Sequence, residues 1–208
     1  MSKLFIALLA TIGLSAAATA APATYTTDAN HTFAQFEYSH LGFSNQTSRF
    51  NTVNGTVTID LAAKKGSADI TIDTKSVDTG SSIFNGHIQG EDFLSTVQYP
   101  TATFQSDDMI FKGDKPVALK GVLTLKGISK PVTLKITHFE CKKHPMAGVD
   151  YCGANAETVV KRTEFNMGKY APNVGDNVTI SIAIEAAKKE KSTEVFRLKK
   201  RHLLIKCR

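Results

Sequence analysis

The side chains that invite a chemical reading in this chain are four of its six histidines, a cysteine pair and the Arg162-x-Glu164 step. His31, His40, His87 and His144 are each capable of binding a metal, yet none falls in H-x-x-x-H spacing and no C-x-x-C accompanies them. No metal site is expected. Acyl-transfer chemistry would need a strained serine turn or an activated thiol, and the chain has no G-x-S-x-G. Arg162 and Glu164 either pair locally or hold a polar head group. No catalytic residue is predicted. Cys141 and Cys152 enclose ten residues that include His144-Pro145-Met146-Ala147-Gly148. In an oxidising compartment they read as a structural disulfide, and a redox pair, the alternative, would usually show C-x-x-C spacing.

The aromatic residues are more telling than the polar ones. Ten of the twelve phenylalanines lie between Phe33 and Phe165, and there is no tryptophan. Flat rings in that number suit either a packed interior or an unsaturated apolar ligand.

Short alternating runs must position them. HTFAQFEYSH sets Ala34, Phe36, Tyr38 and His40 on one face and Phe33, Gln35, Glu37 and Ser39 on the other. TVNGTVTID carries Asn54-Gly55, which is either a two-residue hairpin or a glycine inside a strand. VALKGVLTLKG and PVTLKITHFE form a hairpin around residues 126–130, and AETVVKRTEF and NVTISIAIEA add two more strands. About eight strands result, the number at which a closed barrel encloses packed side chains or one small ligand. One stretch breaks the pattern. In SVDTGSSIFNGHIQGEDFLSTVQYPTATF, residues Phe84, His87 and Ile88 recur at helical spacing, and Tyr99-Pro100 forces an extended exit.

The ends of the chain differ from its middle. Lys3, an apolar run from Leu4 and the small residues Ala18 and Ala20 read as a cleavable signal peptide over residues 1–20. Residues 21–187 form one domain holding 15 Lys and Arg against 17 Asp and Glu. The tail at 188–208 holds nine basic residues against two acidic and includes the leftover Cys207, so the overall charge of +6 belongs to the ends. That removes the electrostatic case for nucleic-acid binding. The tail is expected to be poorly ordered, with membrane docking through its basic and apolar residues as the alternative.

Eight segments in order resemble one known family. They are HTFAQFEYSHLG from His31, Arg49-Phe50, SVDTG from Ser76, HIQGEDFLSTVQYPTATF from His87, GVLTLKGISKPVTL from Gly121, CKKHPMAGVDYCG from Cys141, KRTEF from Lys161 and Val174-Gly175-Asp176. They resemble the YceI-like periplasmic proteins over nearly all of residues 22–187. The resemblance implies an all-β, lipocalin-like eight-stranded antiparallel barrel, here with a short helix near its mouth. It also implies non-covalent binding of a polyisoprenoid, such as a quinone tail or polyprenol, in the periplasm. No cofactor is implied beyond that lipid. Transient membrane contact and a homodimer are compatible with it. The alternatives are a stress-responsive periplasmic interaction protein and, less favoured, an isoprenoid-directed enzyme. The expected ligand wall is Phe36, Tyr38 and Phe43 from the first strand and its turn, Phe84, His87, Ile88 and Phe93 from the helical insertion, and Phe104 and Phe165 from later strands.

Overall fold

A computed structural model describes residues 21–190, so the predicted signal peptide, Cys207 and most of the basic tail lie outside the described residues. The strands are β1 (Ala23–Thr27), β2 (Phe33–His40), β3 (Ser44–Phe50), β4 (Val53–Asp60), β5 (Lys65–Asp73), β6 (Val77–Asp78), β7 (Thr101–Lys112), β8 (Lys115–Leu125), β9 (Ile128–Lys143), β10 (Asp150–Lys161) and β11 (Val174–Lys188). The helix α1 (Ser82–Gln89) lies between β6 and β7.

These eleven segments make eight staves. β1 and β2 both run along β11, β3 and β4 run along β2 and β1, and β6 extends the stave of β5 beside β3. Every neighbouring pair is antiparallel, and β1 pairs with β11 to close an eight-stranded barrel. The expected fold class is the observed one. A closed barrel leaves no unpaired sheet edge, which is the strongest protection against edge-to-edge association.

Gly55 sits inside β4 opposite Ile70, not in a hairpin. A Cβ there would lie 2.2 Å from the Asp69 carbonyl oxygen, so a side chain could not fit the sheet at that point. The turn expected over residues 126–130 is tighter than that. β8 and β9 are joined by Lys126 and Gly127 alone, both at positive φ (50° and 73°), the two-residue geometry that follows strand twist.

In an up-and-down barrel, connections alternate between the two ends. The turn at 41–43, the long insertion at 79–100 with α1, the Lys126-Gly127 turn and the segment 162–173 therefore share one end. We call it the lid end. The turns at 61–64, 113–114 and 144–149 share the other, where the Cys141–Cys152 disulfide joins paired positions of β9 and β10.

Helix α1 starts where the sequence supplies a cap. Ser81 Oγ accepts the Phe84 N–H at 3.4 Å, and the chain leaves the helix at Gly90. Phe84, His87 and Ile88 then fall on the face toward the barrel, and Ile88 is buried with Ala34, Phe50, Val53 and Leu94.

Two buried cations fasten the lid end. Lys126 is 9 % exposed, and its Nζ donates to the Glu91 carbonyl at 2.6 Å and the Asn166 carbonyl at 2.8 Å. It thus ties its own turn to both long lid segments. Burial lowers its pKa, opposed by the charges of Asp92 and Glu91. Arg162 is 6 % exposed and donates Nε to Gly175, Nη1 to Met167 and Lys169, and Nη2 to Val174, all backbone carbonyls. A local pair with Glu164 is not formed among its contacts. A planar fork is what allows one side chain to serve four carbonyls on a folded-back loop.

Lys126→Met keeps the stem and removes the ammonium, leaving two carbonyls without their donor. It should cost about 2 kcal/mol in denaturant unfolding. Arg162→Lys should cost about 3 kcal/mol or more, because one ammonium cannot reach four carbonyls in two directions. Unfolding midpoints within 0.5 kcal/mol of the parent, on the ~1 kcal/mol scale of one hydrogen bond, would show that these cations do not hold the lid end.

Candidate functional site

The inward positions of the staves build the site. In β2 the even-numbered residues Ala34, Phe36, Tyr38 and His40 face inward, and β11 answers with Val174, Val178, Ile180 and Ile182 in register beside them. Alternation then carries the wall around the barrel through Val57, Ile70, Phe104, Leu123, Val132, Leu134, Ala156 and Val160. The side chains do not meet at the axis. They enclose a cavity of about 320 Å³, within the range of small-molecule sites.

Its two ends differ. Toward the far end the wall is Ile59, Met109, Leu119, Phe139 and Ile184, and Tyr25, Cys152 and Ala186 pack there with Ile59 and Met109. The polar side chain of Thr32, level with Ile184, is buried there, and its hydroxyl donates to the Glu185 carbonyl at 3.1 Å. At the lid end the wall includes Tyr38, His40, His87, Arg162 and Tyr170. His87 and Tyr170 are also exposed, so the cavity meets solvent between α1 and the segment 162–173. A row of rings borders this mouth. Phe84 and His87 are 5.6 Å apart between centroids, His87 and Phe93 5.0 Å, and Phe93 and Tyr170 6.4 Å.

Of the residues expected to line a ligand site, Phe36, Tyr38, Phe84, His87, Ile88, Phe93 and Phe104 border the cavity. Phe43 and Phe165 do not. Phe43 is 87 % exposed, because the left-handed turn at Leu41 and Gly42 comes after the last inward residue and odd positions beside it point outward. Phe165 is 1 % exposed and packs in the lid-end core with Phe50 and Met167. It belongs to a 3-10 turn, Arg162–Phe165, where strand alternation no longer applies. Spacing alone did not single out Phe50, Tyr170 or the β11 row Ile180, Ile182 and Ile184. The alternation of NVTISIAIEA was the available signal for the last three.

The electrostatics are those of a binding wall. Tyr38 Oη is buried with no hydrogen-bond partner among the described residues, and burial raises its pKa. The guanidinium of Arg162 is held by carbonyls and has no carboxylate ion pair among the described residues, and burial lowers its pKa. The other histidines lie apart. His31 Nδ1 meets Asp28 Oδ2 at 2.9 Å, and His144 Nδ1 accepts from two backbone amides of the far-end turn. No group of three His, Cys, Asp or Glu side chains able to hold a metal ion occurs among the described residues.

Comparison with known proteins gives the same architecture. Protein YceI of Escherichia coli O157:H7 is 33% identical over 195 residues, covering 91% of this chain and 100% of that protein. The crystal structure of Burkholderia cenocepacia BcnA superposes with a TM-score of 0.67 at 26% identity, over 77% of this chain and 99% of that one. A polyisoprenoid-binding domain from Saccharophagus degradans, implicated in plant cell wall breakdown, superposes with a TM-score of 0.60 at 18% identity, over 79% and 98%. The YceI-like domain model matches residues 25–186, the whole of the closed barrel but its outermost residues, and the chain belongs to that family.

Proposed function

We propose that this protein binds a polyisoprenoid lipid non-covalently along the barrel axis and stores or carries it in the periplasm. The observation that carries the reading is the wall itself, a closed sleeve of aliphatic and aromatic side chains whose polar members gather at one end. A prenyl chain has no hydrogen bonds to offer along its length, so its site must win affinity from buried area. At roughly 0.8 kcal/mol per methylene, three isoprene units gain about 12 kcal/mol before association costs. Costs of about 4 kcal/mol or more leave micromolar binding within reach. The polyisoprenoid-binding domain of similar fold from Saccharophagus degradans supports the same ligand class.

A protein whose task is only to meet another protein has no need of an apolar sleeve. The cavity therefore favours lipid binding over the interaction reading.

Loading requires contact with a lipid surface, and we place it at the lid end. Leu41, Phe43, Ile83 and Val97 are all exposed there, on the turn and insertion that border the mouth. Single exposed apolar residues are ordinary, but four at the end of the barrel where the cavity opens are what a surface meeting a bilayer needs.

Phe84→Ser with Phe93→Ser should abolish co-purification of lipid, measured by mass spectrometry of organic extracts, while the barrel keeps its far-ultraviolet spectrum. Full lipid occupancy in that variant would remove the ring border from the site. Phe43→Glu with Ile83→Glu should reduce flotation with neutral phosphatidylcholine vesicles at least threefold. Unchanged flotation would move membrane contact to another surface.

A further inference from the structure

The barrel closes in strand order, yet the seam between β9 and β10 is laddered for only part of its length. Pairing runs from Lys143 and Asp150 at the far end to Lys135 and Glu157, and there it stops. β9 nevertheless begins at Ile128 and β10 continues to Lys161, so residues 128–134 and 158–161 face one another without ladder pairing among the described residues. Each lip is paired on its other side, β9 with β8 and β10 with β11. The lips reach the lid end, where the Lys126-Gly127 turn and the segment 162–173 lie.

A cleft of about 420 Å³ lies between them. Val132, Thr158 and Val160 line both this cleft and the central cavity, so one layer of side chains separates the two. Phe165 occupies the same seam. It is fully buried, borders the cleft and packs in the lid-end core with Val160, against which Val132 also packs. The outer approach is apolar, with Val159 exposed on one lip and Pro131, paired with the exposed Val122, on the other. Below the cleft the last rung carries the Lys135–Glu157 ion pair, and the Cys141–Cys152 disulfide fixes the far end.

We propose that the barrel opens sideways along this seam, and that an elongated apolar molecule reaches the cavity through the slit above Glu157, with the Phe165 ring as its bolt. This rests on the reading of the cavity as a binding sleeve. Parting two lips that share no ladder hydrogen bonds disturbs the contacts of Val132, Val160 and Phe165. Parting β10 from β11, which are paired from Tyr151 to Lys161, would break a row of backbone bonds as well. A pivot is present at the base of the slit, where the β9–β10 register shifts between Asn155 and Ala156 and the strand can bend. Because the slit runs up to the lid end, a tail engaged there enters over its length instead of threading end first.

Thr133 and Val159 stand opposite one another when the register of Lys135 and Glu157 is continued, and both are exposed. The test joins them. Thr133→Cys with Val159→Cys, in a Cys207→Ser background, is bridged with dibromobimane, and association and dissociation of the fluorescent probe farnesyl anthranilate are followed by stopped flow. Bridging should slow both rates about tenfold and leave the equilibrium constant within about twofold, since a gate changes access and not affinity. Phe165→Leu, which shortens the bolt, should speed both rates about threefold. An association rate unchanged by bridging overturns the slit while leaving the sleeve standing, as does failure of dibromobimane to join the two thiols. Unchanged rates in Phe165→Leu overturn the bolt. Failure of the probe to bind the unbridged chain overturns the sleeve and the slit together.

Discussion

The pairing of β1 with β11 is the constraint on which the rest of this structure depends. Once eight antiparallel staves close on themselves, every backbone group in the ladder has a neighbour and the inward side chains can only face one another. Closure also sorts the connections. The first, third, fifth and seventh must share an end, so the helix insertion, the Lys126-Gly127 turn and the segment after β10 are brought together although they are far apart in sequence. The grouping of connections at each end is a consequence of chain order, and the cavity lies between the two groups.

The two ends are then finished with different chemistry. The far end is apolar inside and covalently fastened between β9 and β10, and the loop enclosed by that disulfide stabilises by about 3 kcal/mol in the chain-entropy account. The lid end relies on buried cations bonded to backbone carbonyls, an arrangement that holds long irregular segments without carboxylate partners. The asymmetry matters for an amphiphile. On the proposed reading its tail would lie along a wall that is apolar but for Thr32 toward the base, and its head beside the polar groups of the mouth.

Alternation made much of this legible in the sequence. The even residues of β2 and the helical spacing of Phe84, His87 and Ile88 were readable because each lies well inside a regular element. Phe43 and Phe165 failed for a common reason, since each lies at a turn where the side-chain period of two is interrupted. A related interruption between β1 and β2 switches the inward set from odd to even numbers, since Tyr25 of β1 stands beside the inward Val57 of β4 whereas Ala34 and Phe36 of β2 line the cavity. Lys126 was invisible for another reason. A lysine in a tight polar turn reads as solvated, and its burial arises only when the 79–100 and 162–173 segments close over it. Arg162 reads from the sequence as either pairing with Glu164 or holding a head group, whereas its four carbonyl partners depend on the path of the 162–173 segment, which local sequence does not determine.

Photo-crosslinking with a prenyl benzoquinone that carries a diazirine at the end of its tail tests the central claim most directly. With the tail inside the sleeve, adducts mapped by peptide mass spectrometry should fall on the far-end wall at Met109, Leu119, Phe139 and Ile184. Adducts confined to Phe43, Ile83 and Val97 on the outside of the lid end, or spread over the outer faces of the staves, would contradict a ligand seated along the barrel axis.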